Sequence, residues 1–180
     1  MSIGEAAAFV VLEDALHCRR RGGRVLGELL GAGVTTDAHH VTAPHPEGEG
    51  MIRAMTDALA AAGREPGDIG YVNAHGTGTP QNDRVEALAL ARVFGEGSVL
   101  VSSTKSLVGH TMAAAGSVEA AATLLALQHG LIPPTANLRD PDPEVPFDCI
   151  AETARAVEVD AALSNSFGFG GQNVSLIFGR

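Results

Sequence analysis

Short apolar runs alternate with segments of helical spacing along this sequence, and this alternation limits the folds that the chain can adopt. Continuous apolar runs of this length suit strands that are buried on both faces. Strands are predicted at Glu5–Leu12, Arg24–Val34, Ile69–Ala74, Ser98–Ser102, Ala156–Leu163 and Asn173–Phe178. We expect the second of them to lie antiparallel to the first. Because strands that alternate with helices form sheets covered by helices, the order predicts an α/β domain.

The helices are predicted from apolar spacing and from the residues at their ends. Helices are predicted at 13–21, Gly50–Ala62, 83–94 and Thr111–His129, with loops at Thr35–Gly48 and Ser164–Gln172. Gly63 ends the second helix, since glycine readily adopts the left-handed conformation found after helix C-termini. Asn82 or Asp83 can cap the third helix. The fourth is apolar almost all round, so we expect it to be buried in the middle of a larger body.

Composition and charge exclude several classes of protein. The chain has 180 residues, of which 45% are hydrophobic and 18% are charged, as in a single well-packed soluble domain. Its net charge of −9 disfavours nucleic-acid binding, because phosphate backbones repel an acidic surface. Its two cysteines, Cys18 and Cys149, lack metal-type spacing and indicate a reducing cytoplasm. No apolar run is long enough for a signal peptide or a membrane span.

Three glycine-rich polar loops follow or flank the predicted strands: Asn73–Asp83 (NAHGTGTPQND), Ser102–His110 (SSTKSLVGH) and Ser164–Asn173 (SNSFGFGGQN). Such loops often carry catalytic groups, because a rigid sheet aims them while the loop backbone can bond a ligand. His75 lies in the first loop, and His110 ends the second. Since His110 also precedes a predicted helix, the helix dipole favours its neutral form, which can donate to a developing oxyanion.

Lys105 is the only lysine among the twelve basic residues of the chain. Glu119 lies in the apolar helix that follows the same loop. We expect these two charges to pair, since charges in apolar surroundings need partners. The sequence alone allows two interpretations of Lys105 and Glu119, a catalytic pair and a structural salt bridge. For His75 a structural role is as consistent with the sequence as a catalytic one.

The spacing of the histidines and glycines gives little support to three other kinds of site. A metal site among the histidines has neither an HExxH nor a CxxC pattern to support it, so we expect no metal. The histidines considered are His39, His40, His45, His75 and His110. The glycines of the first loop miss the G-x-G-x-x-G spacing of dinucleotide sites. No G-x-S-x-G sequence points to a serine hydrolase.

Together the three loops resemble one family, the β-ketoacyl-acyl-carrier-protein synthases that use two histidines with a cysteine. NAHGTGTPQND is similar to the first histidine loop of that family, SSTKSLVGHTMAAAGSVEA to its lysine and second-histidine segment, and SNSFGFGGQN to its terminal loop. Two further segments, DAHHVTAPHPEGEG and IPPTANLRDPDPE, also resemble the sequences of that family. The resemblance covers essentially the whole chain. It implies the C-terminal half of a thiolase-like fold, with a mixed β-sheet layered with helices.

The resemblance implies a decarboxylative condensation of malonyl-acyl-carrier protein with an acyl thioester, in fatty acid or polyketide elongation. His75 and His110 would bind the malonyl thioester and stabilise the enolate. Lys105 would fix the charge around them, and Glu119 would support it. The second histidine disfavours relatives that use histidine and asparagine, and the absence of a cysteine from the terminal loop disfavours thiolases.

The same resemblance implies residues that bind the carrier arm. Thr77 and Thr79 would hydrogen-bond the phosphopantetheine of the acyl carrier protein. Phe169 would be the gating phenylalanine, whose backbone N–H helps to form the oxyanion hole. The resemblance implies no metal or redox cofactor. It implies that the substrate arrives on the phosphopantetheine arm.

The nucleophilic cysteine of the family belongs to its N-terminal half, and neither Cys18 nor Cys149 lies in its setting. We therefore expect residues 1–180 to form the C-terminal domain without the acylation half. Two explanations are open: a fragment or split protein completed by a cysteine-bearing half, and a non-catalytic, chain-length-factor-like or scaffold subunit. Either implies a large exposed interface at Glu5–Leu12 and Thr111–His129, so we expect the chain alone to be oligomeric or poorly soluble.

Overall fold

The computed structural model describes all residues from Met1 to Arg180, and a mixed six-stranded sheet forms its centre. The strands are β1 Glu28–Thr36, β2 Tyr71–Asn73, β3 Leu100–Ser102, β4 Leu131–Ile132, β5 Asp148–Cys149, β6 Arg155–Ala156, β7 Ala161–Gly168 and β8 Gln172–Gly179. The helices are α1 Ala15–Arg20, α2 Glu49–Ala62, α3 Pro80–Phe94, α4 Lys105–Val108 and α5 Ala115–His129, with 3-10 turns at Pro66–Asp68 and Met112–Ala114.

The strand order of the large sheet is β1-β8-β7-β2-β3-β5. β1, β8 and β7 pair antiparallel, whereas β7, β2, β3 and β5 run parallel to one another. β4 and β6 form a separate two-stranded antiparallel sheet. Because β7, β2 and β3 point the same way, their carboxyl ends meet at one edge, and the loops that follow β2 and β3 lie side by side.

Helices cover both faces of the large sheet, each above its own apolar cluster. Met55 of α2 and Leu90 of α3 pack on one face in a cluster that includes Val72 of β2. Leu127 of α5 packs on the other face in a cluster that includes Tyr71, the preceding residue of the same strand. Alternate residues of a strand point to opposite faces, so β2 serves both clusters and is buried between two layers of helix.

The end of α2 agrees with the sequence-based prediction, whereas the start of α3 differs from it. α2 ends at Gly63, which has the predicted left-handed conformation with φ of 60°. α3 begins at Pro80, three positions before the predicted start, and Thr79 rather than Asn82 or Asp83 precedes it. Proline suits the first turn of a helix, since its missing N–H would have no partner there.

The strand predicted at Glu5–Leu12 is wrong for this chain. These residues form no strand, and Phe9 is 96% exposed with Val11 also exposed. An apolar run becomes a strand only where a neighbouring strand accepts its hydrogen bonds. The strand predicted at Arg24–Val34 is observed as β1, and it pairs antiparallel with β8 instead of with Glu5–Leu12.

The loop predicted at Ser164–Gln172 is mostly strand. β7 continues to Gly168, and only a tight turn separates it from β8. The polar side chains of this stretch lack the apolar alternation of a strand, but buried hydrogen bonds such as Ser175 Oγ to Asn165 Oδ1 at 2.7 Å satisfy them. The strand predicted at Ala156–Leu163 is divided between the end of β6 and the start of β7.

The helix predicted at Thr111–His129 is shorter and less buried than its composition indicates. A 3-10 turn comes first, α5 begins at Ala115, and only the face that lies on the sheet is buried, with Leu125 52% exposed. Apolar composition therefore does not measure burial here, because no second layer covers the outer face of α5. No helix of this chain combines the length and apolar character needed to span a bilayer.

Candidate active site

The ends of three parallel strands bring together the side chains that the sequence singles out. His75 follows β2, and Lys105 opens α4 shortly after β3. Asn73, the last residue of β2, pairs with Ser102 of β3 on one side and with Ser164 of β7 on the other. The loops after β2 and β3 therefore start level with each other, which places their first side chains in contact range.

Lys105 lies at the centre of this site. Its Nζ atom is 3.2 Å from Nδ1 of His75 and forms an ion pair with Oε1 of Glu119. Lys105 and Glu119 are both buried, and Ser166 Oγ donates to the second oxygen of Glu119 at 3.4 Å. Burial raises the pKa of Glu119, and the neighbouring ammonium opposes that rise. The two charges are thus paired, as their apolar surroundings require.

His75 and His110 lie beside each other next to this ion pair. Their rings meet edge-on, with centroids 5.5 Å apart and an interplanar angle of 87°. Burial, the Lys105 ammonium and His110 together lower the pKa of His75 to about 3, and burial is the largest of these causes. Burial and the same ammonium also lower the pKa of His110. Both imidazoles are therefore neutral at neutral pH.

Each of the two rings accepts a hydrogen bond at Nδ1. For His75 the donor is the ammonium of Lys105, which has no lone pair to accept with. For His110 the donor is the backbone N–H of Met112, at 3.2 Å. A neutral imidazole carries one proton, so in both rings that proton lies on Nε2. His110 lies before the 3-10 turn and not directly before α5, and the causes that lower its pKa are burial and the Lys105 ammonium in place of the predicted helix dipole.

Glu86, on α3, is absent from the predicted site, yet it holds the loop of His75. Its two oxygens accept from the N–H groups of His75 and Gly76, each at 2.8 Å, and Asn165 Nδ2 donates to it at 3.3 Å. Burial raises its pKa, and the backbone N–H groups oppose the rise. A signal was available in the sequence, since Glu86 shares a helical face with the apolar Leu90, and a carboxylate on an apolar face needs partners.

Asn73 is a second residue that sequence patterns do not reveal. Its Nδ2 atom lies 3.2 Å from Thr123 Oγ1 and 3.4 Å from both Thr104 Oγ1 and the carbonyl oxygen of Glu119. One buried amide therefore links β2 to the residue before Lys105 and to α5. Because α5 carries Glu119, this link fixes the distance between the two partners of the ion pair.

A cleft of about 940 Å³ opens beside the site, and Thr77, Lys105 and His110 are among the residues that line it. The hydroxyl groups of Thr77 and Thr79 lie 2.9 Å apart and bond to each other. Thr77 is therefore placed on the wall of the cleft, whereas Thr79 lies one step back as the residue before α3. Their binding role stays a prediction.

The structure does not bring Phe169 into contact with the histidines. Phe169 is 71% exposed at the turn between β7 and β8. The aromatic ring that packs against His75 is that of Phe167, which is buried with a centroid separation of 5.8 Å. A role for Phe169 as a gate stays a prediction, and Phe167 is an additional member of the site.

Of the two cysteines, Cys149 lines the same cleft as Lys105 and His110, whereas Cys18 does not. Cys18 is buried in α1, and Cys149 is partly buried on β5. Burial and the charge of Asp148 raise the pKa of the Cys149 thiol, which disfavours the reactive thiolate. No three His, Cys, Asp or Glu side chains converge as ligands for a metal ion. The expectation of a metal-free site stays a prediction.

Residues 26–139, more than half of the chain, match the family described as Beta-ketoacyl synthase, C-terminal domain. The chain belongs to the β-ketoacyl synthase family. A curated relative, 3-oxoacyl-(acyl-carrier-protein) synthase 2 of Synechocystis sp., is 45% identical over 178 residues, which are 98% of this chain and 43% of that protein. The chain thus spans less than half the length of this β-ketoacyl synthase.

Solved ketosynthase structures confirm the predicted mixed sheet layered with helices. The ishigamide ketosynthase/chain length factor has a TM-score of 0.95 at 41% identity, over 98% of this chain and 43% of that chain. A type II PKS acyl-carrier protein in complex with its ketosynthase bound to the hexaketide has a TM-score of 0.89 at 32% identity, over 93% of this chain and 41% of that chain. The thiolase-like fold class implied by the sequence is therefore correct.

Proposed function

We propose that this chain supplies the malonyl-binding and decarboxylating part of a β-ketoacyl synthase. The observation that carries the proposal is the pairing of His75 with His110, whose rings meet edge-on with both Nδ1 atoms already engaged. Their free donors are the two Nε2–H groups. Preorganised neutral donors of this kind stabilise an oxyanion that develops between them.

In the proposed step, the bond between the carboxylate carbon and C2 of a malonyl thioester breaks, and carbon dioxide leaves. The bonding electron pair stays on C2 and is delocalised onto the thioester oxygen, to which His75 and His110 donate. Neither imidazole gives up its proton. Burial keeps both rings neutral, and the Lys105 ammonium acts in the same direction.

In the condensation that follows, C2 of the enolate attacks the carbonyl carbon of an acyl thioester and expels the sulfur as a thiolate. The thiol that carries the acyl group would come from a cysteine outside residues 1–180. The raised pKa of Cys149 and the burial of Cys18 agree with a nucleophile elsewhere. We infer that the domain described here is the C-terminal part of the enzyme and works with an N-terminal, cysteine-bearing half.

The malonyl group would arrive on the phosphopantetheine arm of an acyl carrier protein. Thr77 on the wall of the cleft supports this part of the proposal, with Thr79 holding its hydroxyl. Phe169, which is exposed at the turn between β7 and β8, would close over the thioester. One similar solved structure contains an acyl-carrier protein bound to its ketosynthase, which supports the same partner here. We keep the cytoplasm as the proposed location.

The exposed segment Glu5–Leu12 is the surface that we assign to the missing half or to a homologous subunit. Phe9 and Val11 are almost fully exposed, and a run of this kind buries well only between neighbouring strands. We expect the chain alone to form oligomers. Light scattering should detect them, and a double Phe9→Ser and Val11→Ser variant should shift the population toward monomer. A stable monomer of the unmodified chain would contradict this assignment.

Decarboxylation tests the catalytic proposal directly. This chain would be assayed with malonyl-acyl-carrier protein, alone and with the segment of the Synechocystis synthase that it does not span supplied as a second polypeptide. Release of carbon dioxide should fall by about 10²–10³-fold in His75→Ala and in His110→Ala, as when an oxyanion donor is removed. His129→Ala, an exposed histidine at the end of α5, serves as the matched control and should leave the rate unchanged.

A chain-length-factor-like subunit is the second candidate function. It is favoured by the structural similarity to the ishigamide ketosynthase/chain length factor. Such a subunit would shape the acyl pocket of a partner without using its own imidazoles. Equal rates in the unmodified pair and in both histidine variants would establish this second function in place of the first.

A further inference from the structure

Residues Ser2–Gly4 lie against the loop that carries His110, and both backbone polar groups of His110 bond to them. The N–H of His110 donates to the carbonyl of Ser2 at 2.7 Å, and the N–H of Gly4 donates to the carbonyl of His110 at 3.0 Å. His110 lies between α4 and the 3-10 turn, so no helix or strand supplies these partners. The segment Ser2–Gly4 is therefore the only backbone support of His110.

Gly4 and Gly109 make this close approach possible. A Cβ atom on Gly4 would collide with the carbonyl oxygen of Val108 and lie 3.1 Å from Cα of Gly109. A Cβ atom on Gly109 would lie 2.9 Å from Cα of Gly4, and Gly109 has a φ of 77° that other residues rarely adopt. Neither position accepts a side chain unless the two segments move apart.

We propose that Gly4 is a positioning residue for His110. The bridge from Ser2–Gly4 holds the backbone of His110, while the N–H of Met112 holds its ring, so Nε2 keeps its place beside His75 on the wall of the cleft. The importance of this bridge for catalysis rests on the proposed function. The two backbone hydrogen bonds that form the bridge do not depend on that function. Glu86 holds the backbone of His75 in a comparable way, so each imidazole has its own anchor.

Amide hydrogen exchange in the full chain tests the bridge. The variant is Gly4→Ala, and the matched control is Gly67→Ala, since a Cβ atom on Gly67 meets nothing within 4 Å. Loss of two backbone hydrogen bonds should speed exchange of the amides at positions 4 and 110 by about 10- to 100-fold. The control should leave both amides unchanged, and amides of β7 and β8 should be unchanged in either variant.

The titration of His110, followed by NMR, gives a readout that a general loss of stability would not move. In Gly4→Ala the pKa of His110 should rise toward its ordinary value, because the ring leaves its half-buried position near Lys105, and that of His75 should stay low. In the decarboxylation assay, kcat should fall while KM changes little. Unchanged exchange and titration of His110 in Gly4→Ala would overturn the proposal.

The unmodified chain provides a measurement that does not depend on how Gly4→Ala folds. The amides of Gly4 and His110 belong to one bridge, so they should exchange with the same protection in increasing urea. Exchange of the Gly4 amide at the rate of an unprotected amide would refute the bridge. If the bridge is present but His110→Ala decarboxylates normally, the proposed function fails and the bridge stands.

Discussion

The Nδ1 atom of His75 lies 3.2 Å from the Nζ atom of Lys105, and the same ammonium is paired with the carboxylate of Glu119. An ammonium can only donate, so it fixes the His75 proton on Nε2. It also neutralises a carboxylate that is closed off from water. The single lysine of the chain therefore sets a tautomer and compensates a buried charge at once, and replacing it should disturb both.

Lys105→Met should lower the free energy of unfolding by about 3–5 kcal/mol, because Glu119 would remain buried without a partner. Urea denaturation measures the change. Arg139→Met is the matched control, since Arg139 pairs with Glu152 on the exposed surface, where the loss should be below about 1 kcal/mol. Adding Glu119→Gln to Lys105→Met should recover part of the stability. Equal effects of the Lys105 and Arg139 variants would contradict the buried pairing.

The contribution of His75 to the stability of the chain should become less favourable as the pH drops from about 6.5 toward 3. Burial holds the pKa of His75 at about 3 in the folded state, below its ordinary value of 6.5. Between these values the unfolded chain binds the proton and the folded chain does not, so protons favour unfolding.

Unfolding curves of the unmodified chain and of His75→Gln, measured across that pH range, isolate this contribution. The stability difference between the two proteins should become less favourable to the unmodified chain as the pH falls. Glu86 and Glu119 are present in both proteins, so their own titrations cancel. His129→Gln, which removes an exposed imidazole at the end of α5, is the control. A constant difference for His75→Gln would show that His75 is charged in the folded state.

Glu86→Gln should loosen the loop of His75. An amide at this position replaces one acceptor oxygen with a donor, so the N–H of either His75 or Gly76 loses its partner. We expect a loss of about 1–3 kcal/mol in unfolding free energy. Faster exchange of the Gly76 amide should accompany it, whereas the exposed Glu96→Gln should change neither. Retention of full stability in Glu86→Gln would mean that the backbone bonds are dispensable.

Truncation of the two phenylalanines near the β7–β8 turn should lower stability by very different amounts. Phe167→Ala should cost about 3–5 kcal/mol of stability, because its ring is buried against His75. Phe169→Ala should cost less than about 0.5 kcal/mol, since its ring is exposed. Thermal unfolding measures both changes. If Phe169 closes over the thioester as proposed, its variant should lower the condensation rate of the assembled pair while leaving stability intact.

Several of the strands and helices could be predicted because they have a local cause. α2 has helical spacing and ends at a glycine, and β3 is a short apolar run. The strand predicted at Glu5–Leu12 failed for a non-local reason, since an apolar run cannot reveal whether a partner strand will lie beside it. The second part of β7, residues 164–168, escaped prediction because its Ser and Asn side chains are satisfied by distant groups that no local pattern contains.

The residues of the candidate site also fall into those that the sequence could reveal and those that it could not. His75, Lys105, His110 and Glu119 stand out by residue type and setting, and the structure brings all four together. Asn73 and Glu86 act through residues far along the chain, so a linear pattern gives at most a hint of them. What the sequence lacks is the set of contacts that decides which nitrogen of each ring carries its proton.

The pairing of β1 with β8 has a consequence for synthesis. Glu28 lies opposite Gly179 and Thr36 opposite Gln172, so β1 is joined to a strand that is made much later than β1 itself. At about 5–20 residues per second, translation takes several seconds or more to cover that interval. β7 also pairs with β8, so one edge of β7 stays unpaired until β8 has been made. A nascent chain on the ribosome therefore carries two open strand edges until β8 emerges, which makes it a natural client for chaperones that shield such edges.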